Sequence, residues 1–289
     1  MPTIESNDIK VEIAAQGAEL QRITDKRTGV EYMWNADPAY WAKHSPILFP
    51  IVGSLKDNTY LYEGIPYNLP RHGFAREMEF QLYQQSGHGL TFKLSSNEAT
   101  LTRYPFPFEL YIEYLVAGPV LSVSYRVVNI GEKSMYFSIG GHPAFKVPIF
   151  EGDTYTDYTL EFNQFENAGR WLLDNGLLEN GTVPLLENTD QLPLRKELFE
   201  ADAIVFKKLS STKVRLIQER TGKGFEFDFN GFPYLGIWAA KGADFVCIEP
   251  WCGIADNVDS NQQLVEKEGI NELGAGGLFE RTWKFAVID

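Results

Sequence analysis

Four histidines, His44, His72, His88 and His142, supply the imidazoles of this chain, the side chains best suited to moving a proton near neutral pH. Their surroundings differ. His88 stands in SGHGL, a glycine-flanked turn with neither burial nor a fixed partner, and reads as a solvated loop residue. His44 closes a short stretch of helical pattern, where an imidazole simply suits the negative end of the helix. His72, in PRHGFAR, follows a chain directed by Pro70 and precedes a glycine that permits an unusual backbone or a close ligand. His142, in GGHPAF, has Gly140 and Gly141 leaving space before it and Pro143 holding it extended. A rigid imidazole beside space free of side chains suits catalysis or ligand contact; a satisfied core histidine is the competing reading of each.

Glu249 is the natural partner. It lies in the apolar run FVCIEPW, before Pro250 and among aromatic residues, where a glutamate is either paired or tuned in pKa. Asp202, in ADAIVF at the start of another strand, repeats the pattern more weakly and is as readily a turn residue. With reference pKa values of about 4.3 and 6.5, a glutamate carboxylate and a histidine imidazolium coexist in slightly acidic to neutral conditions. Placed on opposite sides of a small substrate, they act as base and acid, and such chemistry needs neither metal nor nucleotide cofactor. Cys247 and Cys252, in CIEPWC, have four residues between them. That spacing fits neither a zinc knuckle nor a redox pair, so buried free thiols are expected. A His/His/Glu metal site is the least favoured reading, because its ligands are scattered along the chain.

Strands must position these groups. VLSVSYRVVN alternates Leu121, Val123, Tyr125 and Val127 with Ser122, Ser124 and Arg126. With the turn IGEK and the run MYFSI it predicts an antiparallel hairpin over 120–139. KVRLIQER and GFEFDFN, around the turn TGKG, predict another, with Phe225, Phe227 and Phe229 on one face. YLGIWAA, FVCIEPW and FERTWKFAVI read as further strands. Helical signals are few: PAYWAKH behind the start at Asp37 and Pro38, and LRKELFE over 194–200. Residues 152–193, rich in Asn, Gly, Asp and Thr, read as a loop-like excursion containing the strand DYTLEF. Too few helices are available to make the crossovers of a parallel sheet. The expected fold is all-β, a large antiparallel β-sandwich with few short helices, in one domain spanning 1–289.

Composition narrows the partners. The 289 residues carry 26 Lys and Arg against 39 Asp and Glu, a net charge of -13, so the basic footprint that nucleic acid requires is missing. No run of apolar residues is long enough to span a bilayer, and the N-terminal segment lacks the pattern of a signal peptide. A cytoplasmic protein that binds neither membrane nor nucleic acid is expected.

In chain order, SPILFPIVG with YEGIPYNLPRHGFAR, then GGHPAF, then VCIEPWCG, resemble three segments of the aldose 1-epimerase (galactose mutarotase-like) family. In that family they carry the first active-site histidine, the second, and the catalytic glutamate. The resemblance implies a β-supersandwich with a pocket on a concave sheet, interconverting the α and β anomers of an aldose without a cofactor. It implies Glu249 as general base, His142 as general acid, His72 as the other pocket histidine, Asp202 as a sugar-binding carboxylate and Trp238 as an aromatic lining residue. Two departures bear on the substrate. HGFAR replaces a glycine-rich pattern, and GSLKDN stands where the family has an arginine-bearing segment, so Lys56 is a candidate replacement. Lys56, Arg71 and Arg76 crowd the region around His72 and could form a phosphate pocket, whereas strand alternation would send Arg71 and His72 to opposite faces. The expected partner is a small sugar, a free aldohexose such as galactose or glucose ahead of a sugar phosphate, with Lys56 and Arg71 contacting hydroxyls. The chain is expected to be a monomer or homodimer. A non-catalytic carbohydrate-binding protein of the same fold, and a glycoside hydrolase using Glu249 and Asp202, are the other readings.

Overall fold

A computed structural model describes residues 1–288 of the chain. In Val120–Asn129 every second side chain, from Leu121 to Asn129, is buried, as its alternation requires. Among the described residues fifteen strands join in one sheet. Its order runs Ile47–Leu48, Ile139–Gly141, Phe245–Cys252, Tyr234–Trp238, Ile204–Lys207, Tyr158–Asp174, Lys213–Gln218, Gly224–Asp228, Leu278–Ile288, Val120–Asn129, Phe108–Ala117, Gly89–Ser95 and Gln81–Gln85. Ala144–Lys146 pairs with Phe245–Cys252 off this path, and Leu177–Pro193 with Tyr158–Asp174. Every one of these pairings is antiparallel.

The sheet folds over on itself. Phe145, beside the Phe245–Cys252 strand, meets Phe225, Phe227 and Phe285 at centroid distances of 4.4, 5.8 and 6.0 Å, although those three lie far along the strand order. A Cβ at Gly141 would strike the Tyr125 hydroxyl of the opposite layer, so a glycine there lets the layers approach. The result is the antiparallel sandwich that the alternating runs imply. Each large apolar side chain closed inside it is stabilised by about 1.5–3 kcal/mol of transfer free energy. A smaller cluster, Leu48, Val52, Leu178, Ala203, Val205, Trp251, Ile254 and Ala255, packs apart from the main core.

Four local expectations change. The 120–139 hairpin does not form: Val120–Asn129 is flanked by Phe108–Ala117 and Leu278–Ile288, while Met135–Phe137 pairs with Asn271–Leu273. Alternation identifies a strand but does not choose its neighbours. PAYWAKH is one turn rather than a helix, with Asp37 Oδ1 accepting from the Ala39 N–H at 2.9 Å, because so short a segment cannot repay helix nucleation. LRKELFE contains a 3-10 helix, Lys196–Phe199. Residues 152–193 are largely a long hairpin, Tyr158–Asp174 with Leu177–Pro193, turning at Asn175 and Gly176. The predicted hairpin of Lys213–Gln218 and Gly224–Asp228 forms, and Phe225, Phe227 and Phe229 are all buried. Among the described residues no helix is long and apolar enough to cross a membrane.

Candidate active site

Every position of the Phe245–Cys252 strand is buried, and its alternation turns Cys247, Glu249 and Trp251 to one face. Glycines on both neighbouring strands make room there. Gly236 stands opposite Glu249 and Gly140 opposite Trp251, and a Cβ at either would come within 2.5 or 2.7 Å of the Trp251 ring. His142 occupies the break between Ile139–Gly141 and Ala144–Lys146, both paired to the same strand. Its Nε2 therefore comes to 3.3 Å from Glu249 Oε2. Among the described residues that oxygen has no hydrogen-bond partner, nor has His142 Nδ1. Trp41 stacks on the His142 ring with centroids 4.9 Å apart, and His72 and Trp238 meet it edgewise at 5.7 and 5.6 Å.

His72 has a left-handed backbone, φ 68°, and Gly73 follows at φ 70°. Only glycine fits at 73, where a Cβ would strike the Phe49 carbonyl. This bend cancels strand alternation, so Arg71 and His72 both face the cavity, contrary to the expectation of opposite faces. The Gly53 N–H donates to His72 Nδ1 at 3.1 Å. In the neutral ring the proton must then be on Nε2, making His72 a hydrogen-bond donor toward anything bound.

Asp202 is also left-handed, φ 66°. Its Oδ1 accepts from the Ala203 N–H at 2.8 Å and lies 4.0 Å from Arg71 Nη2. Arg170 holds the Asp202 carbonyl at 2.7 Å. These groups line one cavity of about 270 Å³, which brings together Glu249, His142, His72, Asp202, Arg71 and Trp238. Lys56 is not in its lining. The Lys56 Nζ donates to the Ser260 carbonyl at 3.4 Å and its backbone N–H to Asp256 Oδ2 at 3.0 Å, which turns it away from the cavity.

Burial sets the proton inventory. It pushes the Glu249 carboxyl well above the usual carboxylate range, with Asp202 adding to the rise and Arg71 opposing it. It pushes His142 down to about 3, and nearby Arg71 and Arg76 act the same way. His72 is lowered too, chiefly by burial and then by His142, Arg71 and Arg76. Desolvation thus works against the expected carboxylate and imidazolium, favouring the neutral form of each. At 3.3 Å, His142 Nε2 and Glu249 Oε2 are close enough to pass a proton between them.

Several lining residues escaped sequence reasoning. Trp41 and Trp251 belong to the cavity, as do Leu173, Gly176 and Leu178 from the tip of the long hairpin, while Arg76, named from sequence only for a phosphate pocket, lines it too. A signal for the hairpin was present: Asn175–Gly176, at φ 49° and 81°, is the dipeptide favoured by two-residue hairpin turns. Trp41 carries no such mark, because only the tertiary fold lays it over His142. The assembled cavity joins two carboxyl groups, two imidazoles and two guanidinium groups with apolar and aromatic walls. It suits a small ring with apolar faces and hydroxylated edges on which protons are to be moved.

Residues 2–264 match the aldose 1-epimerase family. The chain belongs to that family. Protein LacX, chromosomal, of Lactococcus lactis subsp. lactis is 36% identical over 277 residues, 92% of either chain. The galactose mutarotase related enzyme from Lactobacillus acidophilus superposes with a TM-score of 0.95 at 34% identity, over 100% of this chain and 97% of its own. A galactose mutarotase-like protein from Lactobacillus casei ATCC 334 does so at 0.91 and 31%, over the whole of both chains. The all-β, galactose mutarotase-like fold follows from these superpositions and from the doubled sheet itself. Family membership supports a mutarotase-like isomerase.

Proposed function

We propose that the chain interconverts the α and β anomers of a free aldohexose such as galactose or glucose, with Glu249 as general base and His142 as general acid. In the form of the pair that has its proton on His142, reached across the 3.3 Å contact, the Glu249 carboxylate takes the proton of the anomeric hydroxyl, the bond between C1 and the ring oxygen breaks, and the ring oxygen receives the proton from His142. The open-chain aldehyde turns about its first carbon–carbon bond and recloses with the two transfers reversed. No proton is gained or lost overall. His72, through its Nε2–H, donates to the ring oxygen or a neighbouring hydroxyl, and Asp202 and Arg71 hold hydroxyls. Trp238 covers an apolar face of the sugar.

The observation that carries this reading is the 3.3 Å approach of Glu249 and His142 inside a cavity, each with a buried polar atom left without a partner. A binding protein without turnover gains nothing from leaving those atoms unpaired. NMR saturation transfer between anomers of galactose and glucose tests it. Loss of a general base costs about 10²- to 10⁴-fold, so folded Glu249→Gln is expected to lose at least 100-fold. Retention within about threefold would defeat the assignment. A second reading has one observation in its favour: Arg71 and Arg76 both face the cavity, and paired guanidinium groups suit a phosphate. Much faster exchange of the 6-phosphates, reduced to the free-sugar rate by Arg71→Ala, would select it.

A further inference from the structure

Cys247 precedes Glu249 by two positions in the Phe245–Cys252 strand, so both side chains leave the sheet on the same face. His142 reaches that face from the neighbouring strand break. An imidazole nitrogen, a thiol sulfur and a carboxylate oxygen, one from each residue, all lie within 4.8 Å of one another. Cys247 is 0% exposed, Glu249 1% and His142 8%. Glu249 Oε2 is the unpartnered oxygen already described, and His142 Nε2 faces it at 3.3 Å, which makes this a polar recess with lone pairs to offer. Among the described residues Cys247 makes no hydrogen bond, and it does not itself line the cavity, whereas the proposed base and acid do.

Imidazole, thiolate and carboxylate are the donor types of tetrahedral zinc, and three protein ligands with a fourth position open to a cavity hold an exchangeable ligand. Bonds of about 2.0–2.3 Å put the edges of such a tetrahedron at roughly 3.3–3.8 Å. The Glu249 to His142 edge is already 3.3 Å, so closing the site asks about 1 Å of side-chain movement, chiefly at Cys247. A sulfur ligand selects thiophilic ions over Mg²⁺ or Ca²⁺.

We propose that Cys247, His142 and Glu249 form a binding site for one thiophilic divalent cation, Zn²⁺ or Cd²⁺, entered through the sugar cavity, whose occupation blocks anomer exchange. On binding, a metal–sulfur bond replaces the S–H bond, any carboxyl proton on Glu249 leaves with it to solvent, and the neutral imidazole gives a lone pair. The ion's two charges are then balanced by thiolate and carboxylate. Blocking rests on the proposed function, since it removes the same base and acid; binding does not.

The test adds CdCl₂ to the purified chain and follows the near-ultraviolet thiolate-to-cadmium absorption, with calorimetry for affinity. The absorption should saturate at one equivalent in wild type and in Cys252→Ser, and be absent from Cys247→Ser and Cys247→Ala. Loss of an outer contact already costs about 10- to 100-fold in metal affinity, so loss of the sulfur should cost at least 100-fold. Both Cys247 variants should keep anomer exchange yet resist inhibition by Zn²⁺, and added aldose should weaken cadmium binding in wild type. Thermal melts check that each variant folds, and Cys247→Ala carries the test if the serine does not. Absorption unchanged in a Cys247 variant, absorption lost in Cys252→Ser, or cadmium bound with no sulfur band would each overturn the site. A chain inactive on every aldose but retaining the Cys247-dependent band would refute the function and leave the site standing.

Discussion

Glu249 is held where its charge is disfavoured, and the fold bears that cost. Its pKa in the folded chain lies above the unfolded value, so the native state binds the proton more tightly. The stability this gives is fully present below about pH 4.5 and is lost as pH rises through the folded value. Glu249→Gln removes that loss. Its melting temperature should gain on wild type between pH 5 and pH 8, and an offset that does not change with pH would contradict the shift. His142 behaves in the opposite sense: lowered to about 3, it contributes stability present above about pH 6.5 and lost as pH falls toward 3. His142→Asn should therefore flatten the acid side of the stability profile, read from the same melts. Because the two groups lie 3.3 Å apart and titrate as a coupled pair, a bell-shaped rate profile belongs to the pair rather than to either member. Position also separates the two cations named from sequence. Lys56→Ala should leave sugar affinity within about twofold, whereas Arg71→Ala, removing a charge from the cavity wall, should weaken it by about 1.5–3 kcal/mol, measured by calorimetry.

Elements carry these residues to one place by irregularity as much as by strand. The left-handed residues at 72 and 202 and the strand break at 142 present the side chains that a regular alternation would turn away. The long hairpin closes the cavity from outside: the Leu178 N–H donates to the Asp256 carbonyl at 2.8 Å and the Val258 N–H to the Leu178 carbonyl at 2.9 Å. At the tip, a Cβ on Gly176 would come to 2.8 Å from Ser54 Oγ, at φ 81°. Gly176→Ala is expected to cost about 1–2 kcal/mol in stability and to weaken sugar binding while the chain still folds. Unchanged affinity would detach the hairpin from the site. What could be read from sequence follows the same division. Alternating runs such as Val120–Asn129 and Gly224–Asp228 announce strands, and the segments around His72, His142 and Glu249 announce the site. Strand partners, the turn of Arg71 into the cavity and the arrival of Trp41 depend on contacts between residues far apart in the chain, which no local pattern encodes. Lys56 misled for that reason: its neighbours in sequence are near the cavity, but its own ammonium is held by Ser260.

At the scale of the whole molecule, one continuous sheet supplies both the core and the cavity floor, so anything that opens the sheet opens the site. Leu278–Ile288 lies between Gly224–Asp228 and Val120–Asn129, and it brings Trp283 and Phe285, both buried. A chain ended after Gly277 would leave two interior strands unpaired and remove those side chains from between the layers. It is expected to lose its cooperative melt and its near-ultraviolet circular dichroism; a sharp transition in the shortened chain would contradict this. The same placement governs what happens on the ribosome. All the strands that Leu278–Ile288 must join are made before it, so a nascent chain can form local hairpins but cannot unite the halves of the sheet until this strand has left the exit tunnel. Through that interval its apolar faces are open to water and to other chains, the circumstance in which chaperones are needed. The net charge of -13, unhelpful to a compact fold, then keeps unfinished chains apart.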